Sequence, residues 1–269
     1  MIDSENCPIC GNKEFKPLCE ISGYRYVSCA CCGSARQYPY PTDCDIARYY
    51  ADYQTKKSSG SVYLTDAGYD CFKRDKLFTF NDLGITEDSF VDKSLLDIGC
   101  GTGQFIQMMV DFCVGSVQGI DISQQCIDFA QTRNLNCLCA DFSGIDGHYD
   151  VISMWHLIEH LRYPKRYIEH AFHLLNSGGR LLIETPVIGV ISDSFGKDWR
   201  FFMPVEHINL LTQDALFNLC SDAGFSIQSW VRFGSGNDSG SMPAINKRAM
   251  DAVAKKYGFG DTIAALFVK

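Results

Sequence analysis

The sequence is expected to fold as an α/β protein: a doubly wound, mostly parallel, seven-stranded sheet preceded by a small cysteine-rich N-terminal ribbon. Three observations carry that expectation. From residue 94 onward, short apolar runs alternate with helical stretches, the order that builds a parallel sheet covered on both faces. One junction, "SLLDIGCGTG" at 94–103, sets Gly99, Gly101 and Gly103 directly after an apolar run, where bare backbone is useful only if something packs against it. Near the start, "CPIC" and "CACC" form two Cys-x-x-Cys pairs.

Taken in order, Cys7 and Cys10 are separated by 18 residues from Cys29 and Cys32. That spacing matches a structural zinc site, in which each pair offers two thiolates to one tetrahedral ion. Too few apolar residues lie between the pairs for a core, so metal would supply the folding energy. Residues 1–40 therefore read as a zinc ribbon, with Cys31 a competing register and Cys19 and Cys44 spare. After the prolines of "YPYPTDCDIARYYADY" a short helix begins, capped by Thr42 or Asp43. The polar stretch 54–61 reads as a mobile loop, and 66–82 as a helix with Cys71, Phe72, Leu77 and Phe78 on its apolar face. Residues 41–90 are thus a helical lid or linker, and 91–269 the main domain. Strands are expected at 94–98, 116–121, 136–139, 149–154, 180–185, 225–232 and 263–268, and helices at 103–112, 123–132, 163–175 and 212–223. Parallel sheets of this kind bind ligands beyond the carboxyl ends of their strands.

At 269 residues and 46% hydrophobic, the chain can bury a sizeable core. Its 24 basic and 32 acidic residues give a net charge of -8, which argues against nucleic acid as a partner. Lys56-Lys57 and Lys255-Lys256 read as solvated surface. No signal peptide pattern and no 18-residue apolar span is visible, so a cytoplasmic protein without a membrane span is expected. In that compartment 14 cysteines are not a disulfide framework.

The glycine turn is followed, 18 residues past Gly103, by a strand ending on Asp121, where a carboxylate can accept from both hydroxyls of a ribose. Asp97 precedes the glycines and Asp141 ends the next strand, so three successive strands end in an acid. "LLDIGCGTG" with both downstream acids resembles the first motif of the class I S-adenosylmethionine-dependent methyltransferases, over about the last two-thirds of the chain. The resemblance implies a Rossmann-like fold in which Gly99, Gly101 and Gly103 contact the methionine portion of the cofactor. It implies Asp121 for the ribose, Asp141 and Phe142 for the adenine, and extends the cofactor-binding set to Asp97, Cys100, Gln104, Ile122 and Trp155. For Asp141 a helix N-cap is the competing reading. A nicotinamide site would space its glycines G-x-G-x-x-G, whereas position 104 here is Gln.

The fourth strand ends "DVISMWHLIEHL". This is not the Asn/Asp-Pro-Pro-aromatic segment of enzymes that methylate base nitrogens, so a small-molecule acceptor is expected. His156 lies where the acceptor should arrive, and an imidazole with a pKa near 6.5 suits removal of a hydroxyl proton. His156, Glu159 and His160 would share a face if the segment were helical. That is similar to the acid-x-x-Glu-His metal segment of the ubiquinone-biosynthesis O-methyltransferases, with a histidine in place of the first acid. Further on, Trp199, Pro204 and His207 followed by a helix and "AGF" resemble methyltransferases of sugars, lipids and secondary metabolites, and the cysteine ribbon adds a likeness to sugar methyltransferases. His207 is the second candidate base. Tyr49, Tyr50 and Tyr53 are candidates for an aromatic lid over the sulfonium, or for packing of their own helix. Two other readings stay open: a nicotinamide-dependent sugar-modifying enzyme, and a ribbon-based binding module with a vestigial enzyme body.

Overall fold

The computed structural model describes residues 6–51, 65–236 and 244–269. The N-terminal segment is an antiparallel meander of β1 (Phe15–Ile21), β2 (Tyr24–Cys29) and β3 (Ala35–Tyr38). Two helices follow, α1 (Asp43–Ala51) and α2 (Asp66–Leu83). Helix α2 starts where the Thr65 hydroxyl accepts the Gly68 N–H and stops at Gly84, whose φ of 71° only glycine adopts freely.

The stripe that α2 turns inward is not the one its apolar residues suggest. Cys71, Leu77 and Phe78 face solvent, Phe78 at 62% exposure, while Lys76, Thr79, Phe80 and Leu83 are buried. A lysine in the buried stripe hides the helical period from a hydrophobicity count. It tolerates burial because an acid on the sheet meets it, as described below.

The main sheet comprises β4 (Ser94–Ile98), β5 (Ser116–Asp121), β6 (Cys137–Cys139), β7 (Tyr149–Trp155), β8 (Leu175–Ile188), β10 (Ser226–Phe233) and β11 (Thr262–Val268), with a short β9 (Asn209–Thr212) at its rim. The spatial order is β6-β5-β4-β7-β8-β11-β10, with β11 antiparallel to both neighbours and the other main-sheet pairs parallel. Chain order reverses between β4 and β7, and open α/β sheets bind ligands beyond the carboxyl ends of their strands at such a reversal. Alternation along the strands feeds both faces. Leu96, Ile98, Ile152 and Met154 pack into one core, Leu95 and Val151 into the other with Phe80 and Phe105.

Helices α3 (Gln104–Asp111), α4 (Gln124–Thr132), α5 (Pro164–Leu174) and α7 (Gln213–Asp222) fall where the sequence places them. The short helix α6 (Val190–Phe195), helix α8 (Ala244–Tyr257) and β9 were not anticipated. Strand β9 joins the ribbon to the body: Ala35 of β3 pairs with Leu210, while Leu211 pairs with Val187 at the end of β8. The ribbon's sheet therefore continues into the main sheet. Among the described residues no helix is long and apolar enough to cross a membrane.

Candidate active site and cysteine cluster

Strand β4 runs into the glycine turn and α3 begins directly after it. At Gly101 the backbone has a φ of 52°, and a side chain added there would meet nothing within 4 Å, so the turn faces open space at the crevice. Asp121, at the end of β5, fixes this turn. Its Oδ2 accepts the Gly101 N–H at 2.9 Å and its Oδ1 the Ser123 N–H at 2.8 Å. Each oxygen keeps a lone pair for a further donor. Beside it Ile122 is 66% exposed, a large apolar side chain at the lip.

The other predicted cofactor residues divide. Cys100 and Gln104 are buried under the turn. Asp97 is buried too, accepts the Ser153 hydroxyl at 2.6 Å, and is pushed up to about 7 by burial, against the pull of Ser153 and Lys76. Asp141 accepts the Ser143 N–H at 2.8 Å and so serves as the N-cap of the turn 142–144. Phe142 turns its ring into the core against His170 and Tyr167, at 4.6 and 5.3 Å, so it offers a nucleotide its main chain and not its ring. Trp155 packs on Phe105 at 5.0 Å, and its buried indole Nε1 has no partner among the described residues.

His156 follows β7 in a left-handed conformation, φ 50°, held by its N–H to the Glu184 carbonyl at 2.8 Å. Its Nδ1 lies 3.2 Å from Glu159 Oε1 and its Nε2 3.2 Å from Glu184 Oε1. Carboxylates only accept, so both ring nitrogens carry protons and the ring is an imidazolium. Burial alone would lower its pKa, but the bonds and charges of Glu159 and Glu184 raise it to about 9. Conversely, burial works to raise the two acids, yet His156 with Lys76 beside Glu184, and with His160 beside Glu159, holds both near 2. The His156 side chain keeps 41% exposure and is the open member of the cluster.

The segment is not the helix that would align His156, Glu159 and His160. Residues 158–160 make a single 3-10 turn after the left-handed His156, yet His156 Nδ1 and His160 Nε2 both approach Glu159 Oε1, at 3.2 and 4.0 Å. His160 Nδ1 donates to the Glu206 carbonyl and His207 Nδ1 to the Phe201 carbonyl, both at 2.8 Å. The two rings meet edge to face at 5.0 Å. His207 is only 5% exposed. Burial, then the neighbouring His160, lowers it to about 4, which leaves it neutral and placed behind His160. Glu159, His160 and His207 bring one ligand atom each within 4.8 Å of one another. His156 and the Thr185 hydroxyl, at 3.2 and 2.9 Å, also engage Glu159, so the trio belongs to one hydrogen-bonded cluster with His156.

Several members were not found in the sequence. Glu184 hides in the apolar strand "RLLIETP", and a lone acid inside a buried strand was the available signal. Lys76 hides in α2. Glu206 accepts the Tyr49 hydroxyl, which gives Tyr49 a role other than a lid, while Tyr53 and the side chain of Tyr50 lie outside the described residues.

At the ribbon, Cys7 and Cys32 sulfurs lie 3.7 Å apart, Cys10 and Cys29 3.5 Å, and all four within 4.8 Å of one another. A tetrahedral ion with ~2.3 Å Zn–S bonds sets its sulfurs about 3.8 Å apart, so the four thiols fit zinc. Both turns are built alike. Gly11 N–H bonds Cys7 O and Gly33 N–H bonds Cys29 O, at 2.9 and 3.0 Å. Cys31 is exposed and outside the cluster.

The glycine turn and the acid–histidine cluster thus both lie at the carboxyl ends of β4 and β7, and comparison with known proteins bears on their class. A family model described as a methyltransferase domain matches residues 69–229, and the chain belongs to that family. The match identifies residues 69–229 as a methyltransferase domain. Over 102 residues it is 31% identical to the "Ubiquinone biosynthesis O-methyltransferase" of Coxiella burnetii (strain Dugway 5J108-111), a stretch covering 35% of this chain and 43% of that protein. The match thus spans less than half the length of that relative. Among solved structures, the plantazolicin methyltransferase BpumL, in complex with a monoazolic desmethylPZN analog and S-adenosylhomocysteine, superposes with a TM-score of 0.55 at 17% identity, covering 83% of this chain and 93% of that one. The [4+2]-cyclase SpnF superposes at 0.53 and 18% identity, covering 86% and 98%. At such identities these two establish the fold alone.

Proposed function

We propose that the chain methylates a hydroxyl of a small, polar acceptor, a sugar or related metabolite, with His156 as the proton-accepting group. One observation carries the reading: the single open member of a buried acid–histidine network stands at the carboxyl end of β7, next to the glycine turn. Gly99, Gly101 and Gly103 with Asp121 would hold the methionine and ribose portions, Ile122 and the Asp141–Phe142 main chain the adenine. The cofactor supplies a methyl group on a positively charged sulfur, electrophilic without further activation. What the protein adds is alignment, exclusion of water and a destination for the hydroxyl proton. The likeness to the Coxiella O-methyltransferase supports oxygen as the methylated atom. The Trp199–Pro204–His207 pattern and the ribbon support a sugar.

The test is a radiolabelled-methyl assay over free hexoses, nucleotide-linked deoxyhexoses, a catechol and primary amines. Transfer to a sugar hydroxyl is expected. Label on the catechol would move the acceptor class, and label only on amines would end the role of His156 as a base.

The same reading gives the ribbon a structural zinc held by Cys7, Cys10, Cys29 and Cys32. A reducing cytoplasm suits 14 cysteines, none of them in a disulfide. Elemental analysis of never-chelated protein should find about one zinc per chain. Cys10→Ser should release it and loosen the ribbon, while binding of S-adenosylhomocysteine persists, because β5 and the glycine turn lie at the other end of the sheet. Metal-free wild-type protein would refute the site.

A further inference from the structure

Helix α2 lays a lysine against the acceptor side of the crevice. Lys76 Nζ lies 2.6 Å from Glu184 Oε1, the same oxygen that stands 3.2 Å from His156 Nε2. The Thr79 hydroxyl, one turn on, reaches Glu184 Oε2 at 3.4 Å. Lys76 also sits 4.1 Å above the Trp155 ring, the residue before His156. Lys76 and Glu184 are both about 95% buried, at 6% and 5% exposure. We propose that Lys76, acting through Glu184, is a positioning residue that orients the His156 imidazole and divides the charge available to it.

The proposal rests on His156 as the proton-accepting group. Neither Lys76 nor Glu184 was singled out in the sequence, and no comparison assigns either a role. A buried lysine costs several kcal/mol of desolvation unless a partner offsets it, and a packing role alone would be met by leucine or methionine. What an ammonium adds is competition. Both cations share one carboxylate oxygen, so Lys76 limits how far Glu184 can hold the proton on His156. The charged groups around the ring come from each element packed against it: Glu159 on its own turn, Glu184 on β8, Lys76 on α2 behind Glu184, and His160 beyond Glu159. The segment after α6 presents the Phe201 ring, with the Arg200 guanidinium 4.5 Å behind it.

The sign follows. Removing the lysine charge leaves Glu184 to His156 alone and raises the pH at which the ring loses its proton. Removing the glutamate charge lowers it. The experiment is a pH titration of the six histidines by NMR in the complex with S-adenosylhomocysteine, with His156 assigned from His156→Gln. In the wild-type protein the His156 midpoint should lie well above 6.5. In Lys76→Met it should rise and in Glu184→Gln fall, each by about one unit or more, with affinity for S-adenosylhomocysteine within about twofold.

Equal midpoints in both variants, or a wild-type midpoint near 6.5, overturn the proposal, because a purely structural pair would move neither. Should Lys76→Met not fold, Lys76→Gln and the wild-type and Glu184→Gln titrations decide. Failure of the underlying reading looks different: His156→Ala would then retain turnover whatever the titrations show.

Discussion

Asp121→Ala weakens binding of S-adenosylhomocysteine at least 100-fold in isothermal titration, while NAD is bound by neither protein. Two terms add. On the proposed reading the carboxylate accepts both ribose hydroxyls, and hydrogen bonds to a charged acceptor contribute about 1.5–3 kcal/mol each, before water compensates. The same two oxygens hold the Gly101 and Ser123 N–H groups at 2.9 and 2.8 Å. Their loss therefore also frees the glycine turn that should meet the methionine portion. Asp121→Asn separates the contributions. It keeps an acceptor and the shape but loses the charge, so an intermediate affinity is expected. Unchanged affinity in the alanine variant would remove Asp121 from the site.

The strand, glycine turn and helix at 94–132 were legible because their signals are local. The glycine turn, the acid at each strand end and the 2-to-3.6 change of period all lie within a few residues of one another, and strands 94–98 and 116–121 appear at their predicted bounds. The acid–histidine cluster is assembled from distant residues. Lys76 and Glu184 are 108 positions apart and Tyr49 and Glu206 157, so no spacing within one element announces them. Polar groups in buried stripes also weaken the periodicity that sequence reading depends on, as the misplaced apolar face of α2 shows. Strand β9 escaped for another reason. It is four residues long and buried on both sides, with no alternation to reveal it, and it exists because the ribbon needs an edge to pair with.

That assembly ties the ribbon to the acid–histidine cluster. Tyr26 of β2 donates to the His207 carbonyl at 3.0 Å, the Gln37 side chain accepts the Val205 N–H at 2.8 Å, and Thr212 donates to the Cys32 carbonyl at 3.0 Å. The loop carrying Glu206 and His207 is therefore fastened to the ribbon strands β2 and β3 as well as to His160 after β7. Loss of metal should disturb the His160–His207 contact before it disturbs Asp121.

His156→Ala lowers turnover about 100- to 10,000-fold with little change in cofactor affinity, measured with the acceptor that the labelling assay identifies. The pH dependence discriminates more sharply than the size of the loss. A free histidine would give an activity step near 6.5. Here Glu159 and Glu184 hold the ring protonated up to about 9, and an imidazolium cannot take a proton from the acceptor. The folded-state value is raised, so the charged form dominates at neutral pH. The kcat/KM should then climb about tenfold per pH unit and level off near 9. The kcat step should lie lower, because the sulfonium's positive charge disfavours the imidazolium in the complex. His207→Asn is the companion measurement, since asparagine keeps a donor for the Phe201 carbonyl. His207 is buried and already neutral, so its loss should lower stability and leave turnover within about tenfold. If the large loss follows His207 instead, the proton leaves through the His160–His207 pair and His156 only binds the acceptor. If neither substitution costs more than about tenfold, the acceptor is an amine, which sheds its proton to water after the methyl has moved.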